Sequence, residues 1–407
     1  MTYRRVVLVL LATSLGTNAY LLRKNWSRLR EGYADFTIFY SAGTMIRTGD
    51  AARLYDEGVQ YDAQRAIAPH VSTRHSALPY NHPPFEAVLF APLTKLTYFP
   101  AYSVWAAVGL SVLGFAFWAL RRSCRSLQLP HVLVLLVMAL ALFPLFMNFF
   151  QGQDEALLLA LLVFAFVSLR AGEQFWAGVC LGLASFRPQI ALALAAVLIC
   201  ARKGRVALGF ATSVVMVCAL SIAVVGWRAF LNYPNYVWKL EQHQGYGSIL
   251  PATMPNVRGL VSAVLPDGHP AALAATACAS ILLLLWGARM FARAEKSNDL
   301  ELAFSVALLT SALISYHALP YDLSILLIAI FLLHPRITPP ALEFSRWQLW
   351  LPVAWLFFAP LQMVLWLRLG RFNWFASVLL LWMWGMSKEI AKRRTRDSYA
   401  LAVARPS

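Results

Sequence analysis

The stretch QFWAGVCLGLASFRPQIALALAAVLIC, residues 174–200, decides the fold. It is an apolar run interrupted once, at Phe186-Arg187-Pro188-Gln189. It is too long for one ordinary membrane span of about 20 residues and too short for two full ones. Pro188 removes a backbone donor and biases Arg187 away from helix. The stretch therefore reads as two short helices forming a hairpin, with the break at membrane depth. Irregular backbone at that depth is tolerated only inside protein or beside a wet cavity.

Apolar windows recur on both sides of this hairpin. Spans are expected near residues 6–22, 101–120, 130–148, 155–169, 206–226, 271–291, 300–316, 320–334, 348–367 and 372–387. The composition agrees: 59% of residues are apolar and 13% charged, against about 25% charged in soluble proteins. The class is all-α and polytopic, a single integral-membrane domain over 1–407 with about 12 membrane segments. A first large loop covers 23–100, a second covers 227–270, and a basic tail covers 388–407. In the first loop, Phe36 to Arg47 and Glu57 to Ala68 suit short helices lying on the membrane. Glu86 to Leu96 suits a re-entrant or interfacial stretch. The second loop reads as a lid or wall.

The net charge of +16 raises the question of nucleic acid, and the distribution answers it. Basic residues cluster in short loops, at Arg121-Arg122-Ser123-Cys124-Arg125, Arg202-Lys203-Gly204-Arg205 and Lys392-Arg393-Arg394. That pattern suits cytoplasmic loops and anionic membrane lipids, not nucleic acid. It predicts both termini cytoplasmic and both large loops external. Arg4-Arg5 followed by Val6 to Leu22 lacks a convincing small-residue cleavage site and is expected to be a retained first span. The five cysteines are scattered, with no CxxC or metal-ligand spacing, and read as structural and reduced.

Signatures of phosphate-binding loops, dinucleotide folds, zinc peptidases and serine hydrolases are absent. What remains is a set of polar residues that the topology puts on one external face: Asp35, Tyr80-Asn81-His82, Gln151-Gly152-Gln153-Asp154, Arg187, Asn256 with Arg258, and His317 with Asp322. Polar groups near a membrane core are costly and tend to be functional. Each also has a plainer reading. Asp35 is either an active-site base or a cap for the segment after it. Gln151 and Gln153 suit helix capping, Asp154-Glu155 a helix dipole, and Asp322 a cap. Arg187 and Arg258 suit backbone or headgroup partners, and His82 and His317 suit satisfied interfacial histidines.

The order of these elements resembles glycosyltransferase family 87. Asp35-Phe36 with Phe39-Tyr40, Gly49 and Leu54-Tyr55-Asp56 is similar to the family's opening signature. Tyr80-Asn81-His82-Pro83-Pro84-Phe85 with Ala91-Pro92-Leu93 stands where the family has a Tyr-Pro-Pro element. Gln151-Gly152-Gln153 opens a span, as in the family. Gly178 to Gly182 is followed by Arg187-Pro188, where many relatives have Lys-Pro. Ser315-Tyr316-His317 through Tyr321 resembles a family turn between two spans. The resemblance covers roughly residues 30–335.

The resemblance implies a GT-C fold and an external active site in a bacterial-type plasma membrane. It implies transfer of a sugar, often mannose, from a polyprenyl-phosphate carrier to a lipid-linked or glycan hydroxyl, without a cofactor. On that scheme Asp35 is the base for an inverting displacement. Arg187 or Arg258 holds the donor phosphate, and His317 donates to the phosphate or positions the acceptor. Tyr80, Asn81, His82, Gln151, Gln153 and Asn256 bind sugar or acceptor. The scheme needs no metal, and the spacing of His, Cys and acids suggests none. The competing readings are a lipid-linked-sugar transporter or flippase and a non-catalytic assembly factor.

Overall fold

A computed structural model describes residues 3–69, 77–242, 250–266, 268–337 and 346–403. Parts of both large loops (70–76, 243–249 and 267), part of the expected inner loop 335–347 (338–345) and the chain end (404–407) lie outside the described residues, as do the side chains of Tyr3, Arg4, Gln242 and 394–403. The described chain is helical throughout, with no strand among the described residues.

Among the described residues, four helices are long and apolar enough to cross a bilayer: Arg5–Lys24, Tyr98–Ser123, Gly204–Glu241 and Pro270–Lys296. Only 17% to 33% of their most apolar windows is buried in protein, so their remaining apolar faces suit lipid. Val215, Met216 and Leu282 are among the exposed side chains. Two bent pairs raise the number of candidate spans to six: Val132–Ala141 with Phe143–Gln151, bent by 82°, and Trp347–Leu356 with Ala359–Arg368, bent by 62°. The sequence count of about 12 treats shorter apolar helices as spans as well. By length and composition, four to six helices qualify.

The hairpin at 174–200 forms as its sequence dictates. Gln174–Leu183 ends in a short 3-10 turn, and Pro188 opens the helix Pro188–Cys200 from its first position. There its missing N–H costs nothing. Arg187, between them, is non-helical at φ −110°, ψ 71°. The first half packs closely on Gly204–Gln242, because a Cβ at Gly178 or Gly209 would run into backbone of the facing helix. Small residues give such helix pairs their close approach. Gly204–Gln242 is itself broken at Gly226, at φ 79°, so the span expected at 206–226 ends there and a second limb runs on.

The first large loop differs from its expected form. Phe36–Thr48 and Glu57–Ile67 are helices, separated by the left-handed turn at Gly49. Phe36, Phe39, Met45, Leu54 and Phe90 are fully or almost fully buried. They form one aromatic-rich cluster with Tyr98, Trp105 and Tyr236. Phe39 stacks on Phe90 with ring centroids 4.7 Å apart. The apolar face expected to lie on the membrane is covered by protein. Tyr236 and Leu240 come from the limb beyond Gly226, so the two large loops pack together as one cap.

Candidate functional site

Beneath this cap is a cavity of about 680 Å³, with Asp35, His82, Gln153, Arg187, Glu241 and His317 on its wall. Asp35 precedes the Phe36–Thr48 helix, yet its side chain makes no capping hydrogen bond. Its Oδ2 instead accepts from Gln153 Nε2 at 2.7 Å. Its backbone N–H donates to Gln151 Oε1 at 3.2 Å. The capping reading of Asp35 therefore gives way to a carboxylate held in the cavity.

Gly152 makes this possible. It ends the Phe143–Gln151 helix in the left-handed region at φ 67°. A Cβ there would lie 2.6 Å from the Phe36 side chain. The tight turn sets Gln151 and Gln153 on either side of Asp35, then delivers Asp154 and Glu155 to the start of the Glu155–Arg170 helix.

Arg187, at the hairpin break, is buried and closes the network. Its Nε donates to Asp154 Oδ1 at 2.7 Å, and its Nη2 donates to Gln153 Oε1 at 2.6 Å. Nη2 also lies 2.7 Å from Glu155 Oε1. The guanidinium sits 5.5 Å from the Tyr321 ring centroid. Asp154 makes no side-chain cap but pairs with Arg187, while Asp154 and Glu155 keep the helix-start position read from sequence, Glu155 in the first turn. Burial alone would raise the Asp154 carboxyl, but the Arg187 charge holds it below the usual carboxylate value.

A second ion-pair group stands across the cavity. Glu241 Oε1 is 3.0 Å from His317 Nδ1, and Glu241 Oε2 accepts from Arg258 Nη1 at 2.6 Å. Arg258 lies 4.2 Å from the Tyr316 ring centroid and is not part of the cavity wall. Glu241 was missed in the sequence. The only signal was one acid among the aromatics and bases beyond Gly226.

The other expected residues divide. Asn81 lies on the cavity wall. Tyr80 does not: it is buried, and its hydroxyl donates to the Pro83 carbonyl at 3.1 Å. Gln151 acts on the Asp35 backbone from outside the wall. Asn256 is also off the wall. Its Oδ1 accepts from Gly259 N at 2.9 Å, which caps the Val257–Ser262 helix, and its Nδ2 donates to the Ser315 carbonyl at 2.7 Å. Asp322 keeps the capping role read for it, with Oδ2 accepting from Leu319 N at 2.6 Å.

His82, on the cavity wall, is almost fully buried and backs onto Glu86 and Asp154. Burial, with the Arg187 charge next, pushes its imidazole down to about 3, so it is neutral at neutral pH. Burial and the Asp154 carboxylate push Glu86 well up. Among the described residues, these three offer one ligand atom each within 4.8 Å of one another, which one metal ion can bridge. The sequence spacing gave no hint of this group, because Asp154 arrives from a distant helix.

The sequence model of glycosyltransferase family 87 matches residues 80–315. The chain belongs to this family. It is thus a membrane glycosyltransferase, which gives a chemical meaning to a cavity holding both a carboxylate and a guanidinium. The family match takes in the His82 loop, the Gln151-Gly152-Gln153 turn, Arg187 and Glu241. Asp35 precedes it and His317 follows it. No curated protein matches the chain.

Proposed function

We propose that this family 87 enzyme moves a sugar, mannose by family preference, from a polyprenyl-phosphate carrier to a hydroxyl of a lipid-linked or glycan acceptor. The reaction takes place on the external face of a bacterial-type plasma membrane. Asp35 removes the proton as the acceptor oxygen attacks the anomeric carbon. The bond to the phosphate oxygen breaks, the polyprenyl phosphate leaves as an anion, and a single displacement inverts the configuration. Arg187 supplies positive charge toward the leaving phosphate. His317 donates to the phosphate or orients the acceptor, and Asn81 and Gln153 meet sugar hydroxyls.

One observation carries this reading. Asp35 and Arg187 are held in the same cavity by the two ends of one amide, at 2.7 and 2.6 Å. A base and an anion-holding cation are the two groups such a displacement needs. Arg258, spent on Glu241 behind the wall, is the weaker of the two phosphate candidates and reads as a positioning residue for Glu241 and His317.

The test is transfer by purified protein from a radiolabelled polyprenyl-phosphate sugar to candidate lipid acceptors, beside Asp35→Asn. Wild-type transfer that the variant loses is the expected result. Transfer undiminished in the variant removes Asp35 as base. Absence of transfer from any polyprenyl donor, with flux of the lipid-linked sugar in vesicles, favours a transporter instead.

A further inference from the structure

Three side chains, His82 on the cavity wall and Glu86 and Asp154 behind it, make a donor set to which the proposed displacement assigns no step. His82 comes from the loop before the Pro84–Phe90 helix, Glu86 from that helix, and Asp154 from the turn after Gly152. All three are nearly fully buried, at 6%, 1% and 1% exposure.

We propose that His82, Glu86 and Asp154 bind one divalent first-row metal ion. The donors are one imidazole and two carboxylates, a mixed nitrogen and oxygen set that suits manganese or zinc.

Geometry is the first support. His82 Nδ1 lies 2.7 Å from Glu86 Oε2 and 3.9 Å from Asp154 Oδ2. Metal–ligand bonds of about 2.0–2.2 Å place neighbouring donors at about this spacing.

Unmet bonding capacity is the second. His82 Nδ1, both Glu86 carboxylate oxygens and Asp154 Oδ2 are buried with no hydrogen-bond partner outside the group among the described residues, the one such interaction being between the Glu86 and Asp154 carboxyls themselves. Buried polar atoms are ordinarily satisfied, and one so placed calls for a partner. The 2.7 Å approach of His82 to Glu86 lacks hydrogen-bonding geometry. The other oxygen of Asp154 is already taken by Arg187, which turns Oδ2 toward the group.

The ion would tie the His82 loop to the base of the Glu155–Arg170 helix. It would also draw Asp154 charge away from Arg187, leaving that guanidinium more cationic toward the cavity. The site acts by positioning, and its occupancy does not depend on which sugar is moved.

The experiment is Mn²⁺ titration of full-length, chelator-treated protein in detergent, followed by electron paramagnetic resonance. Saturable binding of about one ion per chain is expected, with nitrogen hyperfine coupling from one imidazole. Glu86→Gln is expected to weaken binding about 10–100-fold, and His82→Ala to abolish the nitrogen coupling. Absence of saturable binding overturns the site. So does bound Mn²⁺ without nitrogen coupling in the wild-type protein, a readout that stands even where a variant fails to fold. Undiminished affinity in a folded Glu86→Gln protein also overturns it.

Discussion

A single side-chain amide separates Asp35 from Arg187. Gln153 Nε2 donates to the Asp35 carboxylate and Gln153 Oε1 accepts from the Arg187 guanidinium. A side-chain amide carries both a donor and an acceptor, so it can meet a carboxylate on one side and a guanidinium on the other. The proposed base and the cation proposed to face the leaving group are thereby fixed at one distance. The first prediction follows. Asp35→Asn keeps the shape and removes the base, so transfer is expected to fall about 10²–10⁴-fold. Donor binding should be unchanged. Equal loss of binding and turnover would recast Asp35 as a structural residue.

Arg187 pairs with Asp154 and Glu155 and is the proposed phosphate holder, and two substitutions separate these roles. Arg187→Ala leaves Asp154 and Glu155 buried without their cation, a change that costs about 3–5 kcal/mol. A large fall in thermal stability is expected. Arg187→Lys keeps a charge but loses the planar guanidinium. It is expected to fold and to bind the polyprenyl-phosphate donor more weakly. Donor affinity unchanged in the folded lysine variant would remove Arg187 from phosphate binding.

The path from sequence to this site was uneven for physical reasons. The break at Arg187-Pro188 was legible because proline acts on its own residue and the one before it. The Asp322 cap was legible for the same local reason. The burial of Phe36 and Phe39 was not, because an amphipathic helix has the same pattern whether lipid or protein covers its apolar face. Glu241 and the His82, Glu86 and Asp154 group were hidden because their partners come from distant helices. Asn256 was misplaced for the opposite reason: a local cap used up a side chain whose position in the loop suggested ligand binding.

Glu241 joins His317 to Arg258. Its carboxylate makes a charge-assisted bond to each, and such bonds contribute about 1.5–3 kcal/mol. Glu241→Gln is expected to raise the donor KM about tenfold with a smaller change in kcat. If Glu241 acts by holding His317, the double variant Glu241→Gln with His317→Ala should be no worse than His317→Ala alone. Additive losses would assign Glu241 a role of its own.

Asp56 tests the cap without touching the cavity. Its Oδ1 accepts from Val59 N at 3.1 Å at the start of the Glu57–Ile67 helix. That bond, with Arg53 a lesser cause, holds its carboxyl below the ordinary value of 3.8. A lowered carboxyl stabilises the fold above its ordinary value, and that contribution is lost as pH falls through the folded one. Asp56→Ala is expected to cost about 1 kcal/mol at neutral pH. The gap between wild type and variant should close below about pH 4. A gap that persists unchanged in acid would mean that the loss is one of packing rather than of the carboxylate.

Gly152 is the residue on which the geometry of Asp35 depends most. Its φ of 67° is left-handed, which costs a residue with a Cβ about 1–2 kcal/mol. The Cβ of an alanine would also fall 2.6 Å from the Phe36 side chain and 3.1 Å from Tyr102. Phe36 is fully buried among aromatic rings and has nowhere to retreat. The strain must then move either the turn or the start of the Phe36–Thr48 helix. Asp35 is the residue before Phe36, and Gln151 and Gln153 flank Gly152, so both sides of the Asp35 contacts shift. Gly152→Ala is therefore expected to lose transfer by more than tenfold, because displacements of about 1 Å are enough to cost a reaction that much. Gly49→Ala provides the comparison. Gly49 is also left-handed, at φ 92°, but nothing lies within 4 Å of its missing Cβ. It should lose similar stability to strain alone and keep its activity. Equal activity in the two variants, measured on folded protein, would mean that the contact between Gly152 and Phe36 does not set the position of Asp35.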